Sequence, residues 1–560
     1  MTQSTTLSQP TWKPVHGIWL AASAGLLQAL SFPNFLYAGY SPWHSALAWV
    51  SFIPYIYIWR RCTTFGTFGY AWLMGFLYFT GTLTWVRLVG RNTNIDNAVA
   101  WLFFAVCGGI YFGLFGLSAR LIKHRLHWPD SILLPLSFVA WEYLRGHILT
   151  GGWPWGSLGA TQYANWPIRQ LSTVVGVGGI SFLVILGNIF LLDGLRAVWN
   201  RWRRPKSALP ASSSRLLEEW WSVWRRRPVV TGVVAILTLL WISVLIIAFI
   251  ETVGFARSPR GQISLALLQG NINTRQRWDR AYRTAALDRM RTLHLGATVK
   301  KPELIVWAES CFPGIMEYPP LREWEQRLRE LVSEAGIPTV LTSNEYEREQ
   351  DLDKPLSWHH YNSAFYLGGQ GQTLGRYRKL HLVPFGEYIP YEFLKRYLQT
   401  VVQQPIPVDF EPGDDTTVFE LGKWGFSILI CYEDMFEELG YQLAKAGADF
   451  FLSVANNSWS GRSEMSYQHN AMSVFLAVEH RAYIAKADMT GPTVVIDPWG
   501  HIGPALPFFE PAVKWETIYP AKFRTFFTRF GNLIPFGFTV LFFLLCAASF
   551  IPARFIPPAR

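Results

Sequence analysis

The chain is predicted to be a polytopic α-helical membrane domain of eight transmembrane helices that carries a soluble α/β domain. Three observations lead there. Half of the residues are hydrophobic and only 16% are charged, well below the roughly 25% typical of soluble domains. Apolar stretches of spanning length recur through the first half and once near the end. Between the seventh and the eighth lies a long segment in which strand-like and helix-like patterns alternate.

The spans are expected near Val15–Phe32, Trp43–Trp59, Phe68–Leu88, Val99–Ala119, Ile132–Leu149, Val175–Leu195, Val229–Phe249 and Leu533–Ile551. Each approaches the ~20 residues needed to cross hydrocarbon. Glu142 and Arg145 interrupt the fifth. Pairing with each other, or facing the bundle interior, is the reading preferred there over a functional one. The first span lacks a small-residue cleavage site and reads as an uncleaved anchor. Many of the 27 Trp stand near the ends of apolar stretches, as interfacial aromatics do.

Charge sets the expected orientation. Arg60 and Arg61 follow span two, Arg120, Lys123 and Arg125 follow span four, and Arg196 to Arg227 lie between spans six and seven. The alternate loops carry few cations. By the positive-inside rule both termini are then cytoplasmic and the long segment is extracytoplasmic. The net charge of +11 is explained by these loops rather than by nucleic acid. The Arg- and Trp-rich stretch Trp199–Arg227 reads equally as a linker or as a basic segment on the membrane surface. The expected divisions are a membrane domain at 1–254, a catalytic domain at 255–525, and the last helix with its tail at 526–560.

Within the long segment, strands are expected at Ile263–Leu268, Leu304–Trp307, Thr339–Thr342, Ser363–Leu367, Ser427–Ile430, Phe450–Val454 and Thr493–Ile496. Helical spacing links Leu321, Trp324, Leu328, Leu331 and Val332, and stops at Gly336 and Pro338. Ser466–Arg481 is a second helical stretch. Continuously apolar strands between helices suggest sheets covered by helices.

The chemistry is expected at strand ends. Cys431 closes the apolar run Phe426–Ile430, Glu309 follows Leu304–Trp307, and Lys379 ends Arg376–Lys379. A free thiol titrates near ~8.5 and needs a cation or a base beside it to act as a nucleophile. Lys379 can supply the cation, and Glu309 can carry the proton. Glu387 is a candidate second carboxylate that would orient Lys379 or shift Glu309. Five scattered Cys, with no CxxC or Cys/His spacing, argue against zinc and against a disulfide framework. Cys62, Cys107 and Cys546 read as small core residues. Cys311, two residues after Glu309, is a rival thiol. It is expected to be free and to pack near the site, as a disulfide to Cys431 would abolish a cysteine mechanism.

Three segments resemble the catalytic motifs of the nitrilase superfamily: Trp307–Pro313, Tyr377–Pro390 and Ile430–Glu433. Placed between apolar spans, they resemble the bacterial apolipoprotein N-acyltransferase family over essentially the whole chain. The resemblance implies an αββα sandwich with Glu309 as general base, Lys379 as charge stabiliser, Cys431 as nucleophile and Glu387 as supporting acid. Tyr432 and Glu433 match supporting residues beside the nucleophile. Trp278 and Trp459 match substrate-binding positions, with simple packing as the equal alternative. Asn457 and Ser458 depart from the more acidic pair of the family's mobile arm.

The implied reaction transfers an acyl chain through a thioester, from the phospholipid donor phosphatidylethanolamine to the amine of a diacylated apolipoprotein. It needs no metal and no cofactor, and a monomer is expected in the bacterial inner membrane. Val401, Val402 and Pro405–Val408 could equally line an entrance for acyl chains or form a buried loop. Two other functions stay open: a membrane-tethered amidase using the same triad with water, and a non-enzymatic transporter or receptor. Charged residues inside several spans would mark the last, and those are sparse.

Overall fold

The computed structural model of the protein describes residues 14–34, 36–89, 97–147, 152–202, 238–239, 241–251, 253, 261–272, 280–348, 358–391, 409–522 and 524–551. The seventh expected span and the connector after Trp202 lie partly outside the described residues.

The helical part contains α1 (Pro14–Leu30), α2 (Pro42–Ser51), α3 (Ile53–Trp59), α4 (Thr64–Thr82), α5 (Ala98–Leu126), α6 (Asp130–His147), α7 (Ser172–Trp202) and α8 (Trp241–Glu251). The second expected span is therefore two helices. Pro54 cannot donate in the first turn of α3, and the Phe52 N–H between them donates to Asn188 Oδ1 at 2.9 Å. The third expected span stops as an α-helix at Thr82 and continues as a 3-10 turn, Thr84–Leu88. Helices α4 and α5 approach closely through glycine. A Cβ on Gly116 would meet the Thr67 carbonyl of α4 at 3.0 Å, and one on Gly109 the Trp72 carbonyl at 3.0 Å, the close backbone packing small residues permit.

Helix α7 is kinked at Gly176, whose φ of 63° and ψ of −179° leave the helical region. The kink exposes the Val177 N–H, and Glu437 Oε1 accepts from it at 3.1 Å. Two of the described helices, α5 and α7, are long and apolar enough to cross a membrane by length and composition. Glu142 and Arg145 face inward: Glu142 accepts from the Leu158 N–H at 2.6 Å, and Arg145 donates to the Trp155 carbonyl at 2.5 Å.

The α/β part is an αββα sandwich, as the resemblance implies. One sheet has strand order β11-β1-β2-β3-β4-β5 and the other β10-β9-β8-β7-β6. These are β1 Ile263–Gln269, β2 Leu304–Trp307, β3 Thr339–Arg348, β4 Trp358–Leu367, β5 Thr373–Arg378, β6 Phe419–Leu421, β7 Trp424–Ile430, β8 Phe450–Ala455, β9 Tyr483–Asp488, β10 Val494–Ile496 and β11 Ala512–Ile518. The central pairs β1–β2, β2–β3, β7–β8 and β8–β9 are parallel, and the flanks are antiparallel. Strand β5 contains most of the expected strand-like run Arg376–Lys379 and begins three residues earlier, whereas three strands have no counterpart in the sequence reading: β6, β9 and β11. Strands β6 and β11 lie at sheet edges and carry charge. Strand β9 carries two ionisable residues, Lys486 and Asp488, both fully buried.

Strand periodicity divides the two cores. On β7, Phe426, Ile428 and Ile430 pack with Leu265, Ile305 and Val340 between the sheets. Leu429 points the other way, into a cluster shared with the helical part. Helices α9 (Arg280–Ala297) and α10 (Arg322–Ala335) belong to the first sheet's side, and α11 (Glu437–Ala446) and α12 (Met465–His480) to the second. Helix α10 buries Trp324, Leu328, Leu331 and Val332 and leaves its other faces wet. Helix α12 buries nearly every residue, because it is held between the sheet and the bundle. Helix α13 (Leu533–Ser549) returns to α6 and α5.

Leu328 is fully buried in the inter-element core. Leu328→Ala is expected to destabilise the α/β part by roughly 2–5 kcal/mol, read as a lowered thermal midpoint of the detergent-solubilised protein. An unchanged midpoint would contradict the placement of α10.

Candidate active site

Cys431 directly follows β7 and opens a 3-10 turn, Cys431–Met435. Its φ of 59° is left-handed, a strained state for a residue with a Cβ. Glu433 holds the turn. Its carboxylate accepts from the N–H groups of Ile430, Leu380 and His381 at 2.8, 2.7 and 3.0 Å and from the Tyr377 hydroxyl at 2.9 Å. Burial nevertheless raises its pKa to about 7, against the pull of Lys379 and these donors. Glu433 thus ties the cysteine turn to the strand end that bears Lys379.

Glu309 stands two residues beyond β2 and Lys379 one beyond β5. Both meet Cys431. The Lys379 ammonium is 1% exposed and donates to Glu387 Oε1 at 2.9 Å. Glu387 also accepts from the Val383 N–H at 2.8 Å. Asn362, on β4, was not singled out from the sequence. Its Nδ2 donates to Glu309 Oε1 at 3.0 Å and to Glu387 Oε1 at 2.9 Å, so it spaces the two carboxylates. Its own carbonyl accepts from the Lys379 N–H at 2.9 Å. The only available signal was its place one residue before an expected strand.

The electrostatics follow from burial. Burial lifts the Cys431 thiol well above its ordinary value, and Glu309 and Glu387 add to this, while Lys379 and Lys486 oppose it. Burial thus favours the neutral form of the thiol, which faces the Glu309 carboxyl group. Burial also raises Glu309, with Lys379 opposing and Glu387 reinforcing. Lys379 loses its charge less readily than a free lysine. Burial works against the charge, but Glu387, Cys431, Glu309 and Glu433 more than compensate.

The three groups open onto a cavity of about 500 Å³. Glu309, Lys379, Glu387 and Cys431 form its polar end. Leu83, Trp85, Val86, Val89, Phe104 and Trp153, from the helical part, form its apolar end. Trp459 lines the same cavity, 5.6 Å from the Trp85 ring in a T-shaped contact. The Tyr432 ring lies 5.5 Å from the Lys379 ammonium, and its hydroxyl donates to the Leu382 carbonyl at 2.6 Å. Trp278, Val401, Val402 and Pro405–Val408 lie outside the described residues. Cys311 is free and fully buried against Met489 Sδ at 3.5 Å, its thiol pushed up by burial to about 12. Among the described residues no cluster of His, Cys, Asp and Glu could hold a metal ion.

Comparison with known proteins accounts for both halves. Residues 264–522 match the carbon-nitrogen hydrolase family, and residues 24–190 match the apolipoprotein N-acyltransferase N-terminal domain. Apolipoprotein N-acyltransferase of Geobacter metallireducens is 31% identical, over 93% of this chain and 92% of the relative. That of Pasteurella multocida is 25% identical over 95% of each. A solved Nesterenkonia AN1 amidase from the nitrilase superfamily, a cysteine-to-alanine mutant, is 19% identical. It covers 47% of this chain and 92% of its own, with a TM-score of 0.35. The full-length likeness at 31% identity, on top of the two matched halves, means that the chain belongs to the apolipoprotein N-acyltransferase family.

Proposed function

We propose that this enzyme N-acylates the amino-terminal diacylglyceryl-cysteine of apolipoproteins with a chain taken from phosphatidylethanolamine, the last step of lipoprotein maturation. Cys431 is the nucleophile, Glu309 the proton carrier, and Lys379 the charge stabiliser. Glu387, Tyr432 and Glu433 support them. Trp459, and Trp278 by its motif, contact substrate. The carrying observation is the single cavity in which these polar groups meet an apolar wall from the helical part.

The reaction runs in two halves. Cys431 Sγ attacks the sn-1 ester carbonyl while its proton passes to Glu309. Because burial favours the neutral thiol, the transfer accompanies attack. The Lys379 ammonium and neighbouring N–H groups hold the oxyanion. The C–O bond then breaks, Glu309 protonates the departing lysophospholipid, and a thioester remains on Cys431. In the second half the α-amine of the acceptor attacks the thioester. Glu309 takes a proton from that amine, the C–S bond breaks, and the sulfur recovers its proton. Splitting the transfer in two replaces one difficult step by two easier ones. The apolar wall keeps water from the thioester.

Eight spans at the expected positions, both termini in the cytoplasm, and a periplasmic catalytic domain at 255–525 complete the proposal. The membrane domain is 1–254, and 526–560 holds the last helix and the tail. The protein acts as a monomer in the inner membrane. The contacts of the α/β part support this orientation. They fall on segments such as Pro33, Tyr40, Thr82–Trp85, Trp155 and Arg169, which lie at the expected outer ends of the helices. At the other ends Arg60 pairs with Asp130 at 2.8 Å and with Asp193, and Lys123 pairs with Asp130.

Purified protein given phosphatidylethanolamine is expected to carry one acyl adduct on Cys431, with lysophospholipid released in equal amount. A diacylated amino-terminal peptide should discharge it, and Cys431→Ser should form none. Mass spectrometry reads each step; an adduct on Cys311, or free fatty acid in place of acylated peptide, would refute the scheme. A second expectation concerns pH. The rate needs ionised Glu309 and falls as pH drops through its raised pKa. Glu387 contributes to that raise, so Glu387→Gln should move the acid limb of kcat/KM to lower pH. An acid limb that stays in place or moves up would contradict the coupling.

A further inference from the structure

A second set of buried ionisable groups stands behind Cys431, outside the cavity that holds Glu309 and Lys379. Asp434 lies in the cysteine turn itself, His469 on α12 and Lys486 on β9. Asp434 Oδ1 meets His469 Nε2 at 2.8 Å, and Asp434 Oδ2 meets Lys486 Nζ at 2.8 Å. The Ser453 hydroxyl donates to Oδ2 at 2.7 Å, and Lys486 Nζ donates to the Ser473 hydroxyl at 3.1 Å. The imidazole lies close to the main chain of Cys431. All three residues are at most 1% exposed, and none lines the cavity of about 500 Å³. Asp434 borders a separate cavity of about 240 Å³, so within the catalytic cavity the three can act only through Cys431.

Such a cluster is expensive to bury. An ion pair in a core is often no better than apolar residues of the same volume, and it leaves a costly unpaired charge when one partner is lost. What this one secures is local. It grips a turn whose first residue has a left-handed φ, through the Asp434 side chain three residues on. We propose that His469, Asp434 and Lys486 form a buried positioning network that holds the Cys431 turn in its strained conformation for attack. The proposal rests on Cys431 being the nucleophile.

Charge gives the network a second reach. Cys431 is faced by Glu309 from the β2 end, by Lys379 and Glu387, by Lys486 from β9, and by His469 from α12. Lys486 is the second cation favouring the thiolate. Losing it removes that help and leaves Asp434 uncompensated, and both effects make the thiol harder to ionise.

The test uses the full-length enzyme in detergent with phosphatidylethanolamine. Single-turnover formation of the Cys431 adduct is followed by mass spectrometry, and iodoacetamide alkylation of the Cys431 peptide is followed against pH. Misplacing a reacting group by about an ångström costs ~10²-fold. His469→Ala should therefore slow adduct formation by that order with KM for phospholipid unchanged, and His469→Gln, which keeps a donor, should recover much of the rate. Lys486→Met should move the alkylation profile to higher pH. Where His469→Ala does not fold, Asp434→Asn/Lys486→Met decides, since it leaves no buried charge unpaired and should still acylate at least about tenfold more slowly. Wild-type acylation in a folded variant, or an unmoved profile in Lys486→Met, overturns the network. If the wild-type enzyme itself shows no Cys431 adduct, it is the nucleophile assignment that fails.

Discussion

The site depends on one buried ammonium. Lys379 is almost wholly withdrawn from water, and a charge in that position persists only when it is paired and hydrogen-bonded. Glu387 answers it directly at 2.9 Å, and Glu309 and Glu433 add their fields. Three carboxylates around one cation in turn need separation. Asn362 separates Glu309 from Glu387, and three main-chain N–H groups and a tyrosine hydroxyl occupy Glu433. The ends of β2, β5 and β7 are drawn together by these contacts, and the thiol rests where they meet.

A second constraint joins the two halves of the molecule. Helix α12 packs on the second sheet and on the helical bundle at once. On it, Gln468 accepts from the indoles of Trp85 and Trp155 at 3.0 and 2.8 Å and donates to the carbonyls of Pro33 and Thr82. Its neighbour His469 reaches Asp434 in the cysteine turn. Residues one apart on this helix therefore touch the apolar wall of the cavity and the base of the Cys431 turn.

Much of this was legible in the sequence. The seven expected strands all exist, because continuously apolar runs such as Phe450–Val454 have little else to become. The motif residues Glu309, Lys379 and Cys431 sit at strand ends, as their place after apolar runs suggested. Strand β9 was missed because Lys486 and Asp488 break its apolar run, and they are tolerated only through buried partners that no local pattern reveals. Asn362 was missed for a similar reason: its role is set by two residues distant in the chain. The broken second span was also unforeseen, since Asn188 on another helix satisfies the interrupted backbone at Phe52. The upward push on the Cys431 thiol comes from depth of burial, which spacing along a chain does not encode.

The burial of α12 on all sides has a practical corollary. Met472, Phe475 and Leu476 sit against helices of the bundle as well as against their own sheet. Severed from those helices, the hydrolase-like half would present a continuous greasy surface to solvent, of the kind that drives self-association. This catalyst has no water-soluble version waiting to be excised, and its helical partner is a structural half of the enzyme rather than a tether.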